Sequence, residues 1–421
     1  MRRRAVLGGI GAGLAVAGCD APARLASLPL KLRPTATFQG LPEGTRIVLD
    51  GSDDALLGRM ALVALRREWA YAQKSGAKEL GPATYLAISG GGENGAYGAG
   101  LLSGWSALGT RPVFKGVTGV STGALIAPFA FLGSAYDREL ERFYTTIGKS
   151  DVMTSRGLSG ALLGESLYDS APLLRLIRSV LTPEMIAAIA HEYTEKGRVL
   201  LVATTNLDVP VGVLWNIGLI ASAAPRDAPD LVAKILLASA SIPGAFPPVM
   251  IDMEAGGERF QEMHVDGGTV AQVVFYPPSF GGSDLREDPT PEMVRLRERV
   301  LRRKHRVFVI RNSRPGADLE TVDRSTLKIV GRAVSTLIST QGIGDLYQLY
   351  VITQRDGMDY NVTWIPDSFT EKLREPFDTG YMNRLYRVGR AAIADGTAWS
   401  KYPPGYNPTP LNQTALPVAV R

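Results

Sequence analysis

Cysteine occurs once in these 421 residues, at position 19, and histidine three times, at His191, His264 and His305. One thiol excludes an internal disulfide. With no second cysteine and three scattered histidines there is no zinc-ligand spacing either. The chain has no glycine-rich loop ending in Gly-Lys-Ser/Thr, which excludes a P-loop for nucleotide phosphates. No dense Lys/Arg stripe with interleaved aromatics is present, so no nucleic-acid partner is expected. The one marked apolar run near the start, Ala5 to Ala17, is too short to span a bilayer comfortably. The rest is an ordinary globular balance, 45% hydrophobic and 21% charged, with material for one large domain or two smaller ones.

The N-terminus reads as an export signal. Arg2, Arg3 and Arg4 form a basic region, the run from Ala5 to Ala17 an apolar one, and small residues precede a cut. Val16 to Cys19 (VAGC) resembles a bacterial lipobox, in which the cysteine is lipidated and becomes the new N-terminus. The plainer alternative is a cleaved signal with an incidental cysteine. The three arginines also hint at twin-arginine export, and Asp20 resembles an inner-membrane retention signal of some bacteria. The expected organisation is a signal peptide over 1–18, lipidation at Cys19 and a tether over 19–45 rich in Pro, Ala and Leu. One domain then covers 46–402, and 403–421 form a Pro-rich tail. The protein is expected in a bacterial cell envelope, lipid-anchored to a membrane and facing the periplasm or exterior. Cleavage before Cys19 removes three arginines and no acid, so a formal charge of +5 becomes +2. The basic balance of the whole chain is then weak evidence for a polyanionic partner.

Hydrophobic periodicity gives the coarse architecture. Leu56, Met60, Val63 and Leu65 predict a helix over 53–75. Strands are predicted at 86–89, 117–120, 198–205, 211–217, 263–265 and 306–310. Helices are predicted at 96–108, 124–132, 229–239 and 324–354. This alternation implies a three-layer α/β/α fold with a mostly parallel central sheet. Residues 278–304 interrupt it with a polar, highly charged stretch, read as a surface excursion with a solvated helix. Asp284, Glu287 and Asp288 within it are read as solvated rather than as a calcium cluster. A lesser reading makes the stretch a surface for anionic lipid head groups.

Two glycine motifs carry the chemistry. Ser89 to Gly100 reads SGGGENGAYGAG directly after the apolar run Tyr85 to Ser89, so a strand enters a loop whose backbone must approach something closely. A dinucleotide site would place an acid about twenty residues on, at the end of the next strand. That strand ends instead in Gly119, Val120 and Ser121 with no acid nearby, so no nucleotide is expected. The surviving reading is a loop of free N–H groups aimed at a developing oxyanion. The second motif, Gly119-Val-Ser121-Thr-Gly123, is a G-x-S-x-G between an apolar strand and an apolar helix. It sets a serine on a sharp turn at a helix N-terminus.

Such a serine needs a base. His191 lies in a polar helical stretch and reads as a surface residue, and His305 opens a strand after a basic run and reads as structural. His264 and Asp266 share a strand face, so a Ser-His-Asp arrangement is conceivable. Alternatively Asp266, followed by Gly267 and Gly268 at a tight turn, takes the serine proton itself. An ordinary Asp-Gly turn is the plain alternative to both.

Taken together, Gly90–Gly95 (GGGENG), Gly119–Gly123 (GVSTG) and Asp266–Gly268 (DGG) resemble, in order and context, the motifs of the patatin-like phospholipase family. Gly164 to Asp169 (GESLYD) with Pro172 to Leu174, Ala203 to Leu207 (ATTNL) and Ala238 to Pro248 (ASASIPGAFPP) extend the resemblance over residues 84–270. The resemblance implies a patatin-like fold and a Ser-Asp dyad, with Ser121 as nucleophile and Asp266 as base. It further implies an oxyanion hole from the amides of Gly90, Gly91 and Gly92, and neither metal nor cofactor. The family usually has Arg or Lys where this chain has Asn94, which removes a positive charge beside the hole and leaves the backbone donors. The implied activity is hydrolysis of a lipid or fatty-acyl ester, with the membrane surface reached through lipidated Cys19. Leu101, Leu102, Trp105, Ala245 and Phe246 are candidates for an acyl groove, most of them core. The rivals are a triad esterase using His264 and a catalytically silent envelope scaffold.

Overall fold

A computed structural model of the chain describes residues 23–157, 164–276, 279, 290–316 and 321–409. The segment expected to be a signal peptide, Cys19, residues 280–289 of the charged stretch and the tail beyond 409 lie outside the described residues. The strands are β1 (Arg46–Val48), β2 (Ala83–Ile88), β3 (Gly116–Val120), β4 (Thr154–Ser155), β5 (Tyr168–Asp169), β6 (Val199–Asn206), β7 (Val211–Asn216), β8 (Val249–Ala255), β9 (Glu258–Asp266), β10 (His305–Arg311) and β11 (Asp359–Trp364). The α-helices are α1 (Asp54–Lys74), α2 (Gly95–Ala107), α3 (Thr122–Leu132), α4 (Asp137–Thr145), α5 (Lys149–Val152), α6 (Ala171–Val180), α7 (Pro183–Lys196), α8 (Ile217–Ala223), α9 (Ala228–Ser239), α10 (Pro291–Arg302), α11 (Thr326–Arg355) and α12 (Thr379–Ala394).

Nine strands form one sheet in the order β1-β7-β6-β3-β2-β10-β11, with β9 on β6 and β8 on β9. The run β6-β3-β2-β10-β11 is parallel, while β7, β1, β9 and β8 join by antiparallel pairing. Successive side chains of a strand point to opposite faces, and both faces are dry. On β6, Leu200 and Val202 enter the large core built with α2, α3, α8 and α9, whereas Leu201 and Ala203 pack towards Leu56, Leu57 and Met60 of α1. On β2, Leu86 and Ile88 face the large core, and Ala87 meets Leu346 and Leu349 of α11. Helices therefore cover both faces, as the alternation of elements predicts.

The register sets up the site. Val120, the last residue of β3, pairs with Ala203 of β6. Beyond it the same edge of β6 is taken by β9 running the other way, with Asp266 opposite Thr204. The C-terminal ends of β3 and β9 therefore meet head-on along one edge, which brings Ser121 and Asp266 together although 145 residues separate them.

Three expectations need correcting. The segment expected to be a tether is, from residue 23, part of the fold. Leu28, Phe38 and Leu41 are buried in the large core, and Thr37 bridges to Glu254 of β8. Its Leu and Phe content supplies apolar surface that has a sheet edge to cover. The helix in the charged stretch, α10, is docked rather than simply wet. Leu296 packs with Leu62 of α1, the Arg299 guanidinium lies 4.3 Å above the Trp69 ring, and Arg303 pairs with Glu68 at 2.9 Å. The strand expected at 263–265 is the end of the longer β9, whose outer half pairs with β8. Polar residues such as Glu258, Arg259 and Gln261 hide it from a hydrophobic scan.

Candidate active site

Ser121 sits at the turn between β3 and α3 with φ +55° and ψ −124°, a conformation costly for any residue with a Cβ. Its neighbours must give way to allow it. A Cβ on Gly119 would lie 2.4 Å from the Gly123 carbonyl oxygen, and one on Gly123 would lie 2.2 Å from that of Ile88. This is why both flanking positions are glycine. The Ser121 N–H donates to Ser239 Oγ at 3.0 Å, and Ser239 Oγ donates to the Ala203 carbonyl at 2.7 Å. The turn is thus pinned to β6 through the end of α9.

The Ser121 hydroxyl donates to Asp266 Oδ2 at 2.5 Å. The other carboxylate oxygen, Oδ1, accepts from the Gly268 N–H at 2.7 Å, and the Asp266 N–H donates to the Ser241 carbonyl. Glycine at 268 also leaves room for Gln272, whose side-chain nitrogen would lie 2.1 Å from a Cβ there. Ser121 is 5% exposed and Asp266 3%. Burial pushes the Asp266 carboxyl up to about 7, against the opposing hydrogen bonds from Ser121 and Gly268.

The opening glycines lie against this pair. A Cβ on Gly90 would lie 3.1 Å from Ser121 Cβ and 2.7 Å from Gln272 Oε1. Gly91 has φ +155°, and a Cβ there would lie 2.2 Å from the Asn312 carbonyl oxygen; Gly92 has φ +56°. Among the described residues no hydrogen bond from the three amides is found. Asn312, just beyond β10, holds the loop. Its N–H donates to Ser89 Oγ and its Nδ2 to the Ser89 carbonyl, while its Oδ1 accepts from the Gly98 N–H. Asn94 accepts a hydrogen bond from the Tyr381 hydroxyl at 2.7 Å, so a residue of α12 occupies the position beside it. Sequence reasoning missed Ser239, Gln272 and Asn312. Ser239 lies in the ASASIPGAFPP segment but was given no role there, and Gln272 and Asn312 are common polar residues whose roles come from distant contacts that no local pattern marks.

His264 is held apart from the serine. Trp215 Nε1 donates to Thr204 Oγ1 at 2.7 Å, so the Thr204 proton goes to His264 Nδ1 at 2.8 Å. That leaves Nε2–H to donate to Glu262 at 3.1 Å, and Glu262 in turn pairs with Arg46 of β1. Full burial pushes the His264 pKa down, consistent with a neutral ring. His191 is exposed on α7; His305 donates from Nε2 to the Val300 carbonyl and stacks on Tyr85.

An apolar cavity opens on Ser121. Its walls include Leu125, Phe143, Leu173, Phe246 and Met382. A second, smaller cavity behind it shares Leu125 and Phe143 and ends at Ile177, Leu181 and Leu236. Of the five acyl-groove candidates read from the sequence, Phe246 is the one in the first cavity's wall, beside the site residues Gly92 and Ser121. Leu101, Leu102 and Trp105 instead bury themselves in the core along α2, where Gly100 and Gly104 let α12 approach closely.

Residues 86–277 match the sequence model of the patatin-like phospholipases. No curated protein matches the chain. Among solved structures, VipD from Legionella pneumophila is similar over 75% of this chain and 66% of its own length, at 11% identity and a TM-score of 0.35. The chain thus spans slightly less than two thirds of that protein. The three glycine and aspartate motifs lie inside the matched region, and over residues 86–277 the chain carries a domain matching the patatin-like phospholipase model.

Proposed function

We propose that the protein is a serine lipid acyl hydrolase working through a Ser121–Asp266 dyad. The observation that carries this reading is the 2.5 Å hydrogen bond from the Ser121 hydroxyl to a buried carboxylate, with both nitrogens of His264 engaged elsewhere. Asp266 takes the hydroxyl proton as Ser121 Oγ bonds to the carbonyl carbon of an ester. The oxyanion is met by the amides of Gly90, Gly91 and Gly92 and by the positive end of α3. Loss of one such donor typically costs about 10²–10³ in rate. The tetrahedral adduct collapses, the C–O bond to the leaving alcohol breaks, and the proton on Asp266 passes to that alcohol. Water, deprotonated by Asp266, then attacks the acyl-serine. The fatty acid leaves and Ser121 recovers its proton. The apolar cavity beside Ser121 supports a fatty-acyl chain as the group transferred.

Anchoring through lipidated Cys19 belongs to the same proposal. It would hold the enzyme at the surface that contains its substrate and raise the effective concentration. The mass of the N-terminal peptide of the cellular protein tests this, since a lipidated cysteine carries the added acyl mass.

The dyad is tested by treating the purified chain with a fluorophosphonate and mapping the adduct by mass spectrometry, with Ser121→Ala as control. A single adduct on Ser121, absent from the variant, is expected. A folded protein that takes no label, with lipid present, refutes the dyad and leaves a silent scaffold.

A further inference from the structure

Among the described residues three that are not glycine have a left-handed backbone, Gln39, Ser121 and Phe377. Gln39 is exposed at a turn beside Gly40. Ser121 is the strained serine of the site, and Phe377, with φ +56°, lines the same cavity. That backbone is costly for a bulky side chain, and such strain persists only where the surroundings over-determine it. A glycine lies close by at Gly380, but its φ is not positive. The left-handed position thus carries an aromatic ring instead of the residue that fits it best.

The surroundings do hold it. Asp378, next in sequence, caps α12 by accepting the Tyr381 N–H at 3.0 Å. Thr379 Oγ1 donates to the Ile147 carbonyl at 2.8 Å, and Asn383 Nδ2 to the Thr145 carbonyl at 2.6 Å. The Tyr381 hydroxyl donates to Asn94. The chain at Phe377 is therefore tied on one side to the loop of the glycine amides and on the other to the segment after α4, where Ile147 is itself a wall residue.

Burial locates the ring along the cavity. Leu125, Phe143 and Met382 are buried, whereas Gly92, Ile242 and Phe377 are only half-buried and so mark the mouth. Gly92 belongs to the proposed oxyanion hole, so the ring stands beside the carbonyl end of an entering acyl chain. Leu125 and Phe143, shared with the second cavity, mark the far end. A ring fixed at the mouth leaves width for a methylene chain and collides with a substituent on the carbon next to the carbonyl. Phe377 also packs against the large core, but a side chain that only filled that core would be buried, on unstrained backbone. It lies well beyond residue 277, where the family match ends, so this part of the wall comes from chain that the match does not cover.

We propose that Phe377 is a specificity-determining residue: its strained backbone fixes the ring at the cavity mouth, where it admits unbranched acyl chains and turns away those branched beside the carbonyl. The inference rests on the lipid-ester reading of the site, but acyl binding is measurable without catalysis.

The test compares the parent chain with Phe377→Gly and Phe377→Ala. Both variants remove the ring, and only glycine removes the strain. With esters of a straight-chain acid and of its α-methyl-branched homologue, either variant raises the branched-to-straight ratio of kcat/KM about tenfold or more. Phe377→Leu, which keeps most of the packing, moves the ratio the same way by less. Phe377→Gly also unfolds at higher urea than Phe377→Ala. A ratio that stays at the parent value overturns the proposal and leaves the ring as core packing, because lost packing lowers stability without sorting substrates. An alanine variant that unfolds at the same or higher urea than the glycine variant overturns it too, since the backbone is then not strained. The same substitutions in a Ser121→Ala chain are tested for binding of the two intact methyl esters, read by displacement of a fluorescent acyl ester. Loss of the ring tightens the branched ester about tenfold relative to the straight one. If the parent hydrolyses neither ester, the proposed function fails and the binding ratio still decides the role of Phe377. If the parent is active and neither ratio moves, the proposal alone fails.

Discussion

Replacing Asp266 with Asn should make the protein more stable as it makes it inactive, and only above a defined pH. In the native state burial pushes the Asp266 carboxyl from its ordinary 3.8 up to about 7. Between those values the folded protein binds a proton that the unfolded chain has released, so stability falls as pH rises through this window. The full cost of ionising Asp266 in the fold, reached above pH 7, is about 4 kcal/mol. Asparagine is uncharged and nearly isosteric. Its carbonyl oxygen can keep the Gly268 N–H, and its amide can donate to Ser121 Oγ. For a chain of this length about 1 °C of melting temperature corresponds to each kcal/mol. Asp266→Asn should therefore melt about 4 °C above the parent at pH 8 and together with it at pH 4, read by calorimetry across the series. The same variant should lose fluorophosphonate labelling, and parent labelling should rise with pH about a midpoint near 7 as the base loses its proton. An offset that is the same at both pH values, or a variant that melts lower at pH 8, would refute the account of a carboxylate strained by burial.

Two further outcomes separate structural from catalytic residues. His264→Ala should leave Ser121 labelled, because the ring contacts Thr204 and Glu262 rather than the serine, and should lower stability by about 1–3 kcal/mol through the lost hydrogen bonds to Thr204 and Glu262, read in urea melts; abolished labelling in a folded variant would restore the triad. Phe143→Ala should join the two cavities it separates, moving the preferred ester towards longer acyl chains in a chain-length series, and an unchanged profile would mean the acyl group lies elsewhere.

The division between sequence and tertiary structure is physical. Local rules fix what a few neighbouring residues can do. Apolar runs at strand length alternating with helical periodicity imposed the doubly covered sheet. The glycines at 119 and 123 declared the strained serine turn, because no other residue fits that backbone. Amphipathic stretches with a single wet face, such as α1, were legible for the same reason. What needed the third dimension was anything decided by register or by a distant partner. The polar outer half of β9 became a strand because β8 pairs with it, and the Leu- and Phe-containing segment after residue 23 became core because a sheet edge was there to cover. Asp266 and His264 were both admissible bases in the sequence, two residues apart on one strand. Only the handover of the β6 edge from β3 to β9 aimed the aspartate at Ser121, while Trp215 and Glu262 claimed the histidine.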